Sequence, residues 1–171
     1  MKNKHMRGIT LVGMPGSGKS TIGKMVSAKL CVPCVDLDEY IKEREGVSSQ
    51  QILEQRGEQE LLRLEELYTL ALDHRGTVFS PGGSIIYSSP AIEKLISETV
   101  IVYLAFPLTE IRQRLGKEIG RRGIVGLKEK GLDLLFQERV PLYERCSHHT
   151  IFCEGLGRDD VVLKIIALVS S

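Results

Sequence analysis

The chain has no surplus of either charge: among its 171 residues, 23 lysines and arginines stand against 22 aspartates and glutamates. Without a field of one sign, nothing in the composition draws it to nucleic acid or to an anionic membrane, so partners must be sought in local sites. Long apolar runs are also missing. None approaches the roughly 20 residues that a membrane-spanning helix needs. The amino-terminal stretch with Lys2, Lys4, His5 and Arg7 lacks the apolar segment of a secretory signal. A cytoplasmic monomer with no nucleic-acid or membrane partner is therefore expected. Cysteine is scarce, with four residues. Cys31 and Cys34 have C-x-x-C spacing, but they fall between a helix end and a strand, whereas redox pairs open a helix. Cys146, His148, His149 and Cys153 are spaced unlike a structural zinc site, which leaves ordinary packing as the reading for all four cysteines.

What the chain does carry is Gly13-Met14-Pro15-Gly16-Ser17-Gly18-Lys19-Ser20, an uninterrupted G-x-x-x-x-G-K-[ST] motif. An apolar strand over 9–12 precedes it and a helix over 21–30 follows it, the context the motif needs. This is a phosphate-binding P-loop: its backbone N–H groups turn inward and the positive end of the next helix adds to their field. Gly13, Gly16, Ser17, Gly18, Lys19, Ser20 and Thr21 are thus expected to bind ATP. Lys19 would reach the β- and γ-phosphates and the Ser20 hydroxyl would ligate Mg²⁺.

Strand signals recur at 34–37, 77–80, 100–104 and 150–153, with room for a helix in each interval. That alternation predicts an α/β fold, a parallel sheet in three layers with helices on both faces. Ligands of such sheets sit beyond the carboxyl ends of the strands. There the second strand ends in Asp36-Leu37-Asp38, and strand alternation sends both carboxylates to one side, facing the P-loop. One acid could hold Mg²⁺ through water while the other accepts a hydroxyl proton. The plainer alternative has Asp38 capping a helix over 39–45.

Further on, 48–51 fits a capping box and Gly57 ends that helix. A helix over 58–73 places Leu61, Leu64, Leu67, Tyr68, Ala71 and Leu72 on an apolar face, with Leu62 on the opposite arc beside Glu65, Glu66 and Thr69. The third strand runs into Gly82-Gly83, suited to close backbone approach. Ser89-Pro90 reads as an N-cap followed by proline at the first helical position, and 107–115 as another helix. A glycine-rich basic stretch over 117–131 reads as a mobile lid. A helix over 132–145, a strand over 155–158 and a helix over 159–169 close the chain, all within one domain.

In this order the parts resemble the shikimate kinase family. The motifs that carry the resemblance are the P-loop, Asp36-Leu37-Asp38, Gly57-Glu58, Arg63-Leu64-Glu65-Glu66, Ser80-Pro81-Gly82-Gly83 and Arg139-Val140-Pro141-Leu142-Tyr143. The resemblance implies five parallel strands, an acceptor-binding helical segment at about 38–66, a lid, and transfer of the ATP γ-phosphate to the 3-hydroxyl of shikimate. It implies that Asp36 holds Mg²⁺ through water and that Asp38 binds acceptor hydroxyls and acts as base. Glu65, Gly82 and Gly83 would contact the acceptor, Arg139 its carboxylate, and Arg122 the phosphates, while Arg114 and Arg158 would flank adenine. Three segments depart from the family pattern: Ser84 closes its glycine triplet, Arg122-Gly123-Ile124-Val125 replaces Arg-Pro-Leu-Leu, and Leu61-Leu62 replaces an aromatic-arginine pair. Leucine at 62 forgoes a charge-assisted bidentate interaction worth roughly 1.5 to 3 kcal/mol, or about 10- to 100-fold in acceptor binding. Two other readings stay open, a nucleoside monophosphate kinase and an ATP-binding module without an acceptor site.

Overall fold

The computed structural model describes residues 7–170; the basic residues Lys2, Lys4 and His5 lie outside the described residues. Five strands, β1 (Gly8–Val12), β2 (Cys34–Asp36), β3 (Val78–Ser80), β4 (Thr99–Ala105) and β5 (His149–Phe152), form one sheet in the order β2-β3-β1-β4-β5. Every pairing is parallel. Buried apolar residues fill β1, β3 and β4, as expected where helices flank both faces of a sheet.

The helices are α1 (Lys19–Leu30), α2 (Leu37–Glu45), α3 (Ser49–Arg56), α4 (Glu58–Ala71), α5 (Ser89–Glu98), α6 (Leu108–Leu115), α7 (Leu127–Cys146) and α8 (Arg158–Val169). α1 packs on α8 and β3, while α5 and α7 lie against β4. Because all strands run the same way, the P-loop after β1, the acids after β2 and the glycines after β3 meet at one edge of the sheet.

Several boundaries differ from the sequence reading. The segment 155–158 is not a strand: Leu156 closes a turn onto the Cys153 carbonyl, and Arg158 already opens α8 behind Gly157. The second strand stops at Asp36, which caps α2 by accepting the Glu39 N–H, so the cap is Asp36 and not Asp38. Asp38 consequently points from the first turn of a helix, and strand alternation is not what brings it to the P-loop. Ser88, one residue earlier than expected, caps α5, leaving Pro90 in its first turn. The lid is more regular than its glycines suggest, with a 3₁₀ turn over Gly116–Arg121 and α7 starting at Leu127. At Gly131 the backbone leaves helical geometry (φ 72°, ψ 168°), so the first turn of α7 is set apart from the body that follows.

α4 also turns a different side to the core than apolarity alone suggests. Leu67 is 46% exposed, whereas Glu65 and Thr69 are buried beside Leu61 and Leu64. Glu65 lines the cavity described below, whereas the Thr69 hydroxyl is buried without a hydrogen-bond partner among the described residues.

Candidate active site

At α1 the chain leaves β1, curls through the P-loop and enters the helix at Gly18, whose φ of 84° puts it in the left-handed region that glycine adopts without strain. No side chain caps α1 and no acid sits in its first turn, which leaves its N-terminal field uncompensated. Lys19 folds back over the loop, its Nζ donating to the carbonyls of Gly13 at 2.8 Å and Met14 at 3.0 Å. Burial lowers its pKa to about 8, helped by the positive charges of Arg139 and Arg122 and opposed by Asp38 and Asp36. Lys19, Asp38, Arg122 and Arg139 line a single hollow, with Asp36 behind its wall.

That hollow is a cavity of about 660 Å³ over the carboxyl edge of the sheet. It is lined by Gly16, Gly18, Lys19, Ser20 and Thr21 and by Arg114 and Arg158. The Arg114 guanidinium stacks 4.2 Å from the Phe106 ring centroid and pairs with Glu110. The same cavity is lined by Asp38, Glu65, Gly82, Gly83 and Arg139, and by Arg122 of the segment before α7. Three expected site residues, Gly13, Ser17 and Asp36, lie outside the wall. Ser17 is buried within the loop, and Asp36 acts from the cap of α2.

The acids in this cavity are held in unusual states. Asp38 is desolvated, which raises its pKa; the nearby Asp36 pushes the same way, while Ser49, Lys19 and Arg122 oppose the rise. The Ser49 hydroxyl donates to Asp38 Oδ1 at 2.7 Å. Glu65 is buried deeper, and desolvation raises its pKa from the ordinary 4.5 to about 7 against the Ser84 hydrogen bond and the charges of Arg139 and Lys19. Ser84 Oγ donates to Glu65 Oε2 at 2.7 Å.

Since the folded-state pKa of Glu65 lies above its unfolded value, its favourable contribution is complete below pH 4.5 and is lost as pH rises through 7. The loss amounts to about 3 kcal/mol. Glu65→Gln removes it, so this variant should gain stability over the parent protein between pH 5 and pH 8, read by urea unfolding at each pH. A difference that does not change with pH would contradict the buried carboxyl as its source.

Close approach explains the glycines. A Cβ on Gly82 would lie 2.6 Å from Glu65 Oε1, and one on Gly83 would lie 3.0 Å from each of Arg139 Nη1, Pro15 Cδ and Tyr143 Oη. The Tyr143 hydroxyl in turn donates to the Gly83 carbonyl at 2.7 Å, while its ring stacks on Tyr103 of β4. α7 thereby fixes the loop after β3.

The lid lies down over this cavity. Ile124 and Val125 are buried, Arg139 Nη2 donates to the Val125 carbonyl at 2.7 Å, and the Gly126 N–H donates to Glu58. At Gly123 the lid backbone presses so closely on the first turn of α3 that a Cβ would meet backbone atoms of Ser49 and Gln50 at 2.7 to 2.9 Å.

Leu62 does not line the main cavity. It borders a second hollow of about 240 Å³ with Gln59, Arg63, Glu66 and Tyr87, and the two hollows share Glu65 and Ser84 as a wall. Arg63 also borders this second hollow, but its guanidinium is held by Glu60 through two hydrogen bonds. Sequence reading missed Ser49 and Tyr87. Ser49 had one weak signal, its place one residue inside a capping box; Tyr87 had none.

Comparison with known proteins fits this geometry. The family described as shikimate kinase matches residues 15–170. A shikimate kinase of Thermodesulfovibrio yellowstonii is 32% identical over 167 residues, covering 94% of this chain and 94% of the relative. One from Mycobacterium ulcerans is 35% identical over 140 residues, covering 80% and 75%. Among solved structures, a shikimate kinase from Acinetobacter baumannii in complex with shikimate superposes with a TM-score of 0.87 at 30% identity, over 97% of this chain and 94% of that one.

Proposed function

This chain belongs to the shikimate kinase family, and from that premise we propose that its cavity moves the γ-phosphate of ATP to the 3-hydroxyl of shikimate. The observation that carries the reading is that one cavity brings together a buried carboxylate, Asp38, the P-loop lysine and the Arg139 guanidinium. In this reading Asp38 receives the proton of the acceptor hydroxyl as its oxygen bonds to phosphorus. The bond from that phosphorus to the bridging oxygen breaks, and ADP leaves. Lys19 and Arg122 stabilise the charge spread over the transferring group. Gly13, Gly16, Ser17, Gly18 and Thr21 cradle the phosphates, and Arg114 and Arg158 flank the adenine.

Glu65, Gly82, Gly83 and Arg139 hold the acceptor, the last through its carboxylate. The segment at about 38–66 and the lid at about 117–131 act as parts of one catalytic domain, and the closed lid excludes water.

Ser20 and Asp36 suit Mg²⁺. One is an exposed hydroxyl in the first turn of α1 and the other a carboxylate at the head of α2. Among the described residues no cluster of three or more His, Cys, Asp or Glu side chains is shaped for a metal. Mg²⁺ ordinarily takes one or two protein oxygens and completes its shell with phosphates and water, so the sparse donor set fits. When bound, the ion neutralises charge on the β- and γ-phosphate oxygens.

Among the described residues no helix is long and apolar enough to cross a membrane. The reading is that of a cytoplasmic monomer whose partner is a small molecule.

A coupled assay of ADP release tests the reading across shikimate, quinate, gluconate and a nucleoside monophosphate. Shikimate should stimulate turnover most strongly. ATP binding without turnover on shikimate would overturn the assignment, and stimulation by the nucleotide alone would replace it.

A further inference from the structure

Arg139 is 1% exposed, and each of its nitrogens has a defined neighbour. Nε donates to the Tyr87 hydroxyl at 3.2 Å, Nη2 donates to the Val125 carbonyl of the lid at 2.7 Å, and Nη1 stands at Gly83. Tyr87 ends the 3₁₀ turn Gly83–Tyr87, so the glycine that approaches the acceptor and the phenol that holds the arginine belong to one short segment.

A phenol has one proton to give and lone pairs with which to accept. The Tyr87 proton goes to Glu138 Oε1, which leaves a lone pair for Arg139. Glu138 is itself anchored on its other oxygen by Lys130, 2.7 Å away across the break at Gly131. The Tyr87 ring also lies 5.3 Å from the Arg139 guanidinium carbon, near enough for a cation–π contact. Lys130, Glu138, Tyr87, Arg139 and Val125 therefore form a continuous chain that starts and ends within the segment 117–131.

The departure at Leu62 gives that chain its weight. With leucine at 62 and Arg63 engaged by Glu60, neither position offers a second guanidinium to the acceptor's anionic end. A carboxylate gripped from two sides tolerates some play in either arginine, whereas one gripped by a single arginine depends on that arginine's plane. We propose that Tyr87 is a positioning residue for the acceptor: by holding Arg139 Nε it fixes the guanidinium plane, keeps the Nη edge at Gly83, and so sets the grip on the acceptor carboxylate. This rests on the assignment of shikimate as acceptor and of Arg139 to its carboxylate.

Tyr87→Phe keeps the ring and removes both hydroxyl contacts. In steady-state assays it should raise KM for shikimate roughly 5- to 20-fold. It should leave kcat and KM for ATP within about twofold, because Tyr87 touches neither the phosphates nor Asp38. With methyl shikimate, which lacks the negative charge, the parent protein and the variant should give the same KM. Glu138→Ala, a change at a partly exposed side chain, should shift KM for shikimate in the same direction by less, and it decides the matter if Tyr87→Phe fails to fold. An unchanged KM for shikimate in either folded variant overturns the proposal. So does an equal rise with the methyl ester, which marks a merely structural role. Failure of the parent protein to turn over shikimate overturns the acceptor assignment itself and is seen before any variant is compared.

Discussion

Asp38→Asn should lower kcat by roughly 10²- to 10⁴-fold, the range for loss of a positioned general base, while KM for ATP changes little. Asparagine keeps the shape and can still accept the Ser49 hydroxyl hydrogen bond, so the first turns of α2 and α3 should hold together. What disappears is the capacity to take a proton. The pH profile of the parent protein supplies a second readout. Burial raises the Asp38 pKa, so the base is lost by protonation, as pH falls, above the ordinary carboxylate range. Glu65, with a pKa of about 7, shares the cavity and interacts with Asp38, so the acid limb reports the pair rather than either acid alone. Residual activity of Asp38→Asn should no longer follow the Asp38 part of that limb. A variant within tenfold of the parent kcat would show that the proton leaves by another route.

Lys19→Met should cost roughly 10²- to 10³-fold in kcat through loss of charge stabilisation at the transferring group, with a rise in KM for ATP. Its effect on stability should be of a different kind. The folded protein holds Lys19 with a pKa lowered to about 8, so below that pH it bears the cost of keeping a buried group charged. Stability therefore increases as pH rises from 8 towards 10.5, and methionine removes this dependence. Against that gain stand the two hydrogen bonds to the Gly13 and Met14 carbonyls, each worth roughly 1.5 to 3 kcal/mol when the donor is charged. The terms are of similar size, so the melting temperature at pH 7 should stay near that of the parent while activity collapses. A large fall in melting temperature would mean that Lys19 mainly holds the loop in shape.

The P-loop, the parallel sheet and the order of the site segments were legible in the sequence because their signals are local: a fixed spacing of glycines, apolar runs, turn residues. Asp38 was expected at this edge from strand alternation; it does line the cavity, but from the first turn of α2, since Asp36 ends the strand by capping that helix. The apolar projection of α4 failed at two polar positions, of which Glu65 borders the cavity. A helical wheel sends Glu65 and Thr69 to solvent, while in the folded chain both are buried and Glu65 has Ser84 as its partner. Gly155 and Gly157 bracket a turn that resembles the start of another strand until Arg158 opens α8. Ser49 and Tyr87 lay beyond reach for another reason. Their partners stand 11 and 52 residues away, and no local pattern encodes a contact made by folding.

The contact of Gly123 with the first turn of α3 binds two stretches of sequence into a single hereditary constraint. The turn that the lid rests on is the turn from which Ser49 reaches Asp38. A side chain gained at 123 has to displace the backbone of Ser49 and Gln50, and that displacement is transmitted to the carboxylate. Position 123 is thus coupled to the surroundings of Asp38, although the two lie 85 residues apart in the chain. A chain that carries a larger residue at 123 needs an opening of α3 set further from the lid backbone.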